Sequence, residues 1–239
     1  MRLISFNMRS GGARDWQHAL DLSPDLAFLQ EAKAPTCLGE SLSRELGRRI
    51  VWEAVEHGRW GSGLLLPRTP EAILEVPGYG GWVVGAAARL WKWGPVCRVF
   101  SLHVPARHSG YVRTVHEVLD RILAIDHDGP LLLGGDLNVA TARRVALEAR
   151  KTTPRELRLL DRIENDMELT NSWVLCHPDE PLAQTLRWTG NPATPYHCDG
   201  IFLPTAWNRR VKAAEVLQGE PWETVSDHNP VVVDFASRG

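Results

Sequence analysis

The chain has 239 residues, 44% of them hydrophobic and 23% charged, which is ample for a sizeable buried core and makes a folded rather than a disordered chain the default. Its formal charge of −2 at pH 7 sets up no global positive field toward a polyanion, although a local basic face or a bound cation would still serve one. Cys37, Cys97, Cys176 and Cys198 are scattered with no CxxC pair, so neither a disulfide framework nor a cysteine zinc site is indicated, and reduced thiols are expected.

Met1 and Arg2 lead directly into Leu3-Ile4-Ser5-Phe6, too short an apolar run for a signal peptide. No apolar stretch is long enough to span a bilayer, so a cytoplasmic protein with no membrane partner is expected. In chain order, runs with strand character are Arg2 to Met8, Leu26 to Gln30, Ile50 to Val55, Gly63 to Leu66, Trp82 to Leu90 and Val96 to Val104. Leu131 to Leu133, Gly200 to Leu203, Val211 to Leu217 and Pro230 to Phe235 continue the series. Between them, Trp16 and Leu20, then Leu38, Leu42 and Leu46, are spaced to put one apolar stripe on a helix. Val112, Val115, Leu119 and Ile122, and later Leu157, Leu160 and Ile163, repeat that spacing. Strands this numerous with helices interspersed predict an α/β chain of the α+β type, two packed sheets with helices on their outer faces. No Ser- or Gly-rich linker divides the sequence, so residues 1–239 are expected to form one domain.

Polar residues recur where apolar strands end and a loop can build a site on a rigid edge. Asn7 follows Leu3-Ile4-Ser5-Phe6, Glu31 follows Leu26-Ala27-Phe28-Leu29-Gln30, and His103 follows Phe100-Ser101-Leu102. Each alone has an ordinary structural explanation, as a turn amide, a helix-start acid or a hydrogen-bonded histidine. Leu131-Leu132-Leu133-Gly134-Gly135-Asp136-Leu137-Asn138 is sharper, because two glycines permit close approach before an acid and an amide two residues apart. In an extended segment that spacing sends both side chains to one side. Asp199 opens the Gly200 strand, and Asp227 and His228 stand together before Pro230.

Ser5-Phe6-Asn7, Leu29-Gln30-Glu31, Ser101-Leu102-His103 and Gly135-Asp136-Leu137-Asn138 occur in that order, followed by His197-Cys198-Asp199-Gly200-Ile201-Phe202 and Ser226-Asp227-His228-Asn229-Pro230. Together they resemble the endonuclease/exonuclease/phosphatase superfamily over nearly the full length. That family includes abasic-site endonucleases, pancreatic-type deoxyribonucleases, inositol polyphosphate 5-phosphatases and neutral sphingomyelinases. The resemblance implies a four-layer sandwich of two mixed sheets with outer helices, and an active site where strands of both sheets end. It also implies Mg²⁺ or Mn²⁺, with Glu31 as principal ligand and Asp227 and Asn7 near the same ion, since hard cations select oxygen donors. One departure is that Cys198 and Gly200 flank Asp199 where family members commonly carry larger apolar or aromatic residues.

Phosphodiester hydrolysis requires charge neutralisation, an activated water and a stabilised leaving oxygen. In the roles the resemblance implies, Asp136 is the general base, with Asn138 fixing its geometry, and His228 binds the phosphate with its ring oriented by Asp199. His103 either contacts a non-bridging oxygen or protonates the leaving group. For the substrate, a nuclease is the leading expectation, DNA before RNA. Arg9, Arg14 and Arg107 lie beside motif segments, and the Arg-rich stretch from Arg143 and Arg144 to Arg162 and the tip Arg209-Arg210-Lys212 could track a phosphate backbone. Among ten tryptophans, Trp188, Trp207 and Trp222 lie near the C-terminal motifs and could stack on a base. A phosphatase or phosphodiesterase on a small molecule or lipid headgroup is the alternative, and a non-catalytic binding module on the same fold the third reading. The sequence names no protein partner.

Overall fold

The computed structural model describes residues 1–144, 152–190 and 196–236. The first part runs β1 (Arg2–Gly11), α1 (Ala13–Asp21), β2 (Leu26–Lys33), α2 (Glu40–Leu46), β3 (Ile50–Ala54), β4 (Trp60–Leu65), β5 (Ala72–Leu74), β6 (Val83–Arg89) and β7 (Val96–His103). It continues with α3 (Tyr111–Leu123), β8 (Leu131–Asp136), α4 (Pro154–Asp161), β9 (Leu169–Asn171), α5 (Ser172–Cys176), β10 (Asp199–Pro204), β11 (Val211–Val216), α6 (Trp222–Val225) and β12 (Val231–Phe235). Every strand-like run of the sequence is a strand. The two it did not suggest, β5 and β9, have three residues each, too few to show alternation.

The strands form two six-stranded mixed sheets, ordered β11-β12-β1-β2-β4-β3 and β5-β6-β7-β8-β10-β9. Buried apolar side chains of both sheets, Leu3, Phe28 and Val231 from one and Val99, Leu132 and Ile201 from the other, fill the space between them. On the outer face of the second sheet, Val115, Val118, Leu119 and Ile122 of α3 cover Phe100 and Leu133. Trp16 and Ala19 of α1 cover Ile4 and Phe6 on the outer face of the first. α4 begins where its sequence directs. Thr153 caps α4 by accepting from the Glu156 N–H, Glu156 reaches back to the Thr153 N–H, and Pro154 stands in the first turn.

Strand direction places the site. β1 and β2 are parallel in one sheet and β7 and β8 in the other, each pair joined across a helix, so the downstream parts of all four strands face one edge of the sandwich. β10 and β12 run antiparallel to β8 and β1, which brings their first residues to that same edge. Asp136 is paired in register with His103 on one side and Asp199 on the other. Gly134 and Gly135 serve this packing. A Cβ on Gly134 would lie 2.3 Å from the Phe28 ring, and one on Gly135, which holds a φ of +144°, would lie 1.9 Å from the Leu102 carbonyl oxygen.

Candidate active site

The edge residues are held by hydrogen bonds that the linear sequence does not show. β1 and β2 extend past the ends expected for them, to Gly11 and Lys33, and their register shifts between Asn7 and Gly11 and between Leu29 and Ala32. Glu31 therefore sits in an irregularity within β2 rather than at its end, with a left-handed φ of +48° that turns its side chain toward the edge. Arg9 and Ser10 adopt φ of +49° and +61° in the matching irregularity of β1. One carboxamide bridges the two sheets here. The Asn7 Nδ2 donates to Glu31 Oε1 at 3.3 Å and to Asp136 Oδ2 at 3.2 Å, while its Oδ1 accepts from the Arg9 N–H at 3.0 Å. Asn7 thus acts as a donor between two carboxylates, and its oxygen, which accepts one N–H, keeps a second lone pair beside Glu31.

The expectation for Asn138 needs correcting. β8 stops at Asp136, and Asn138 has a φ of +54°, so strand alternation does not align the two side chains. A turn instead ties the Asp136 side chain to the Asn138 backbone. The Asn138 N–H donates to Asp136 Oδ1 at 2.8 Å, and Asn138 Nδ2 donates to the Val104 carbonyl at 3.1 Å. Asp136 is buried, with one oxygen held by Asn138 and the other by Asn7. Burial pushes its carboxyl up and Asp199 adds to the effect, while His228, His103 and the Asn138 N–H pull it down.

His228 stands between two carboxylates. Its Nδ1 lies 2.9 Å and 3.1 Å from the Asp199 oxygens, and its Nε2 lies 3.8 Å from Asp136 Oδ2. Burial alone would lower the imidazolium, but Asp199, Asp136 and Asp227 outweigh it and bring His228 up to about 10. His103 is its opposite. It is equally buried, and burial lowers it despite the nearby Asp136. Its Nε2 lies 3.7 Å from Glu31 Oε1 and 3.9 Å from Asp136 Oδ2. Asp227 is more exposed and faces Arg9 Nε at 3.6 Å.

Ligand atoms of Asp136, Cys198, Asp199 and His228 lie within 4.8 Å of one another. The His228 imidazolium already offsets part of the negative charge of that cluster. Burial drives the Cys198 thiol well up, so it stays protonated and points its hydrogen at Asp199 Oδ2, 3.5 Å away. All four residues are buried, and only Asp136 and Asp199 among them offer the carboxylate oxygens that a hard cation selects. Glu31 and Asp227 are partly open to solvent and offer carboxylate oxygens suited to a hard cation; burial raises the Glu31 carboxyl although the Asn7 hydrogen bond and the charge of His228 act against it.

The groups named as substrate contacts divide. Arg9 and Trp188 are exposed, Trp188 lying edge-on to Tyr196. Arg144 lines a cavity of about 290 Å³ beside Asn138 with Tyr111, Trp188 and Tyr196. Arg107 is folded over the Tyr79 ring at 4.2 Å and donates to the Gly78 carbonyl. Arg143 is tied to Asp161 and Glu164. Arg14 is exposed at the start of α1, and Arg150 and Lys151 of the Arg-rich stretch lie outside the described residues. The tip Arg209-Arg210-Lys212 and Trp207 are at the opposite edge, where Arg210 stacks on Trp91 and Phe235 and donates to the Ala236 carbonyl. Trp222 is buried against Phe6.

Several supporting residues stand inside the motif segments or apart from them without having been named as site residues. Gln30 Nε2 donates to Ser101 Oγ at 3.0 Å, and Ser101 Oγ donates to the Leu29 carbonyl, a buried pin between the sheets directly beneath Glu31 and His103. Ser226 Oγ donates to the Asn7 carbonyl at 2.8 Å and accepts from the His228 N–H at 3.0 Å. Thr185 Oγ1 accepts from the N–H groups of Cys198 and Asp199. Arg187 donates to Asn229 and to the Ser226 carbonyl, clasping the loop that carries Asp227 and His228.

Solved structures share this fold. An AP endonuclease from Archaeoglobus fulgidus matches with a TM-score of 0.74 at 19% identity, over 98% of this chain and 99% of that one. The 3′ phosphatase NExo from Neisseria, bound to product DNA hairpin, matches with 0.71 at 18% over 98% and 99%. The 3′-5′ exonuclease NExo from Neisseria meningitidis matches with 0.70 at 19% over 99% and 100%. No family model and no curated protein matches the chain. The architecture that the motif resemblance implied is therefore the one observed, shared end to end with these proteins.

Proposed function

We propose that this protein is a Mg²⁺- or Mn²⁺-dependent phosphodiester hydrolase acting as a nuclease, with DNA preferred to RNA. The observation that carries the proposal is the placement of Asp136. A buried carboxylate, held on both oxygens by Asn138 and Asn7, faces the Nε2 atoms of two histidines at 3.8 and 3.9 Å. Both separations exceed a hydrogen bond, so each Nε2 keeps its capacity for a phosphoryl oxygen or a water lying between.

Glu31 and Asp227 would hold the cation, which when bound supplies Lewis-acid polarisation of the phosphoryl oxygen. The chain's own groups perform the remaining tasks. Asp136 Oδ2 takes the proton of the attacking water, made more basic by its burial and fixed by Asn138 and Asn7. The His228 imidazolium neutralises charge developing on the phosphate, and Asp199 holds its ring and its proton. His103, kept neutral by burial, offers Nε2 to a non-bridging oxygen or to the leaving group.

The surroundings favour a polymer. A groove of about 660 Å³ leads from Asn138 and Val139 between the starts of α3 and α4, past Arg113, Arg155 and Arg158. The fold-related 3′ phosphatase was bound to a DNA hairpin, which supports DNA as that polymer. The deciding experiment incubates the protein with plasmid, single-stranded DNA, RNA, an inositol phosphate and bis-p-nitrophenyl phosphate, each with Mg²⁺, Mn²⁺ or EDTA. Metal-dependent cleavage of DNA is expected. Cleavage of the small esters alone would replace the nuclease reading with a small-molecule phosphoesterase, and cleavage of nothing would leave a binding module.

A further inference from the structure

His103 lacks the device that orients His228. Its Nδ1 is buried with no hydrogen-bond partner among the described residues, whereas the His228 Nδ1 is gripped by Asp199. A histidine ring without a bond at Nδ1 is free, as far as hydrogen bonding goes, to turn over and carry Nε2 away from the edge. Two indoles occupy the space that such a turn needs. Trp60, at the start of β4 in one sheet, and Trp82, just before β6 in the other, meet edge to face at 5.3 Å and 90°. The His103 ring lies 5.4 Å from the first and 5.1 Å from the second, tilted 45° and 46° to them. The backbone fixes Trp82 in turn: its carbonyl accepts from the His103 N–H at 2.8 Å and from Ser62 Oγ of β4 at 2.9 Å.

We infer that Trp60 and Trp82 are positioning residues for His103, a wedge built from both sheets that aims its Nε2 at Glu31 and Asp136. The inference rests on the reading above that His103 works on the phosphate. Aromatic packing does here what a carboxylate does for His228. A hydrogen-bond acceptor at Nδ1 would draw the ring toward the imidazolium, and a wall of indoles fixes its direction without adding charge.

The test is a double-mutant cycle on bis-p-nitrophenyl phosphate with Mg²⁺, using the full chain. Trp82→Leu should lower kcat on the order of 10²-fold with little change in KM, the scale expected when a reacting group is misplaced by about 1 Å. Trp82→Phe, which keeps an aromatic wall, should restore most of that loss, and Trp60→Leu should behave as Trp82→Leu does. In a His103→Ala background, Trp82→Leu should cost nothing more. An equal loss with and without His103 would overturn the inference, because the indole would then act on the substrate or the fold directly. So would a His103→Ala enzyme with undiminished kcat. A readout independent of turnover is the NMR signal of the His103 ring protons. Wild type should give one sharp set, shifted upfield by the indoles, and Trp82→Leu and Trp60→Leu a split or broadened one. If the protein cleaves no phosphoester, the functional reading fails while this signal still decides the wedge, and a single sharp set in both variants refutes it.

Discussion

Asp199→Asn removes the charge behind His228 while leaving an oxygen that can still accept from Nδ1–H, so it separates the ring's charge from its orientation. The Asp199 oxygens lie 2.9 and 3.1 Å from Nδ1, and both side chains are buried. With charge centres about 4 Å apart and an effective dielectric of about 20, the attraction is about 4 kcal/mol. At 1.36 kcal/mol per unit that is about three pKa units, so His228 should fall from about 10 to about 7, Asp136 still supporting it from the other side. Wild-type kcat on bis-p-nitrophenyl phosphate with Mg²⁺ should hold up to alkaline pH, and that of the variant should decline about three units earlier while approaching wild type near pH 6. Stability follows the same sign. A folded-state value above the ordinary 6.5 contributes in full below 6.5 and is lost as pH climbs through about 10, whereas in the variant, with its value near 7, little of that contribution should remain at any pH. NMR titration of the His228 ring in EDTA-treated protein reads the shift without turnover. An alkaline limb and a ring titration unmoved by Asp199→Asn would refute the assignment of His228 as an imidazolium held by Asp199.

Asp136→Asn should abolish turnover on every substrate while leaving the Mg²⁺ affinity, measured by calorimetry, largely intact; near-wild-type hydrolysis would remove Asp136 as the base. Glu31→Gln should raise the Mg²⁺ concentration needed for half-maximal activity, and an unchanged titration would count against Glu31 as principal ligand. Ser101→Ala strands the buried Gln30 amide and should destabilise the protein by about 1–3 kcal/mol, several degrees in melting temperature. Glu31 and His103 stand on either side of that pin, so kcat should fall in the same variant; a loss of stability with undiminished kcat would limit the pin to holding the sheets.

What the sequence disclosed and what it hid follow from how each residue acts. Asp136 was legible because its strand is apolar without interruption and two glycines announce close packing before the acid. Glu31 was legible as a residue but not in its place, since a strand irregularity with a left-handed residue leaves no mark in hydrophobic alternation. The Gln30–Ser101 pin joins residues 71 apart in sequence and Ser226–Asn7 residues 219 apart, and nothing local announces such pairs. The misplacement of Arg209, Arg210 and Trp207 has a geometric cause. Asp199 is at the site, but β10 then leads away from it, so the segment that follows Pro204 reaches the far edge however close it stands to a motif in sequence. Arg143 has partners the sequence does not announce: Asp161 and Glu164 come from a later helical segment and pair with a cation that looks free in the sequence.

The two histidines show why a chain with a net charge of only −2 needs no broad basic face at its centre. His228 sits between Asp199 and Asp136 and is driven toward the cation; His103 sits between two indoles and is driven toward neutrality. If both were charged, their repulsion would add to the cost of a third positive charge at Glu31 and Asp227. If neither were, the buried carboxylates Asp136 and Asp199 would face each other across the β8–β10 pair uncompensated. One imidazolium and one imidazole offset part of the charge of Asp136 and Asp199, and the more open carboxylates Glu31 and Asp227, the proposed cation ligands, stand beside them. The affinity of those open carboxylates should therefore depend on the charge of His228, so Asp199→Asn, which lets the ring lose its proton near pH 7, ties metal binding and phosphate binding to the same buried pair.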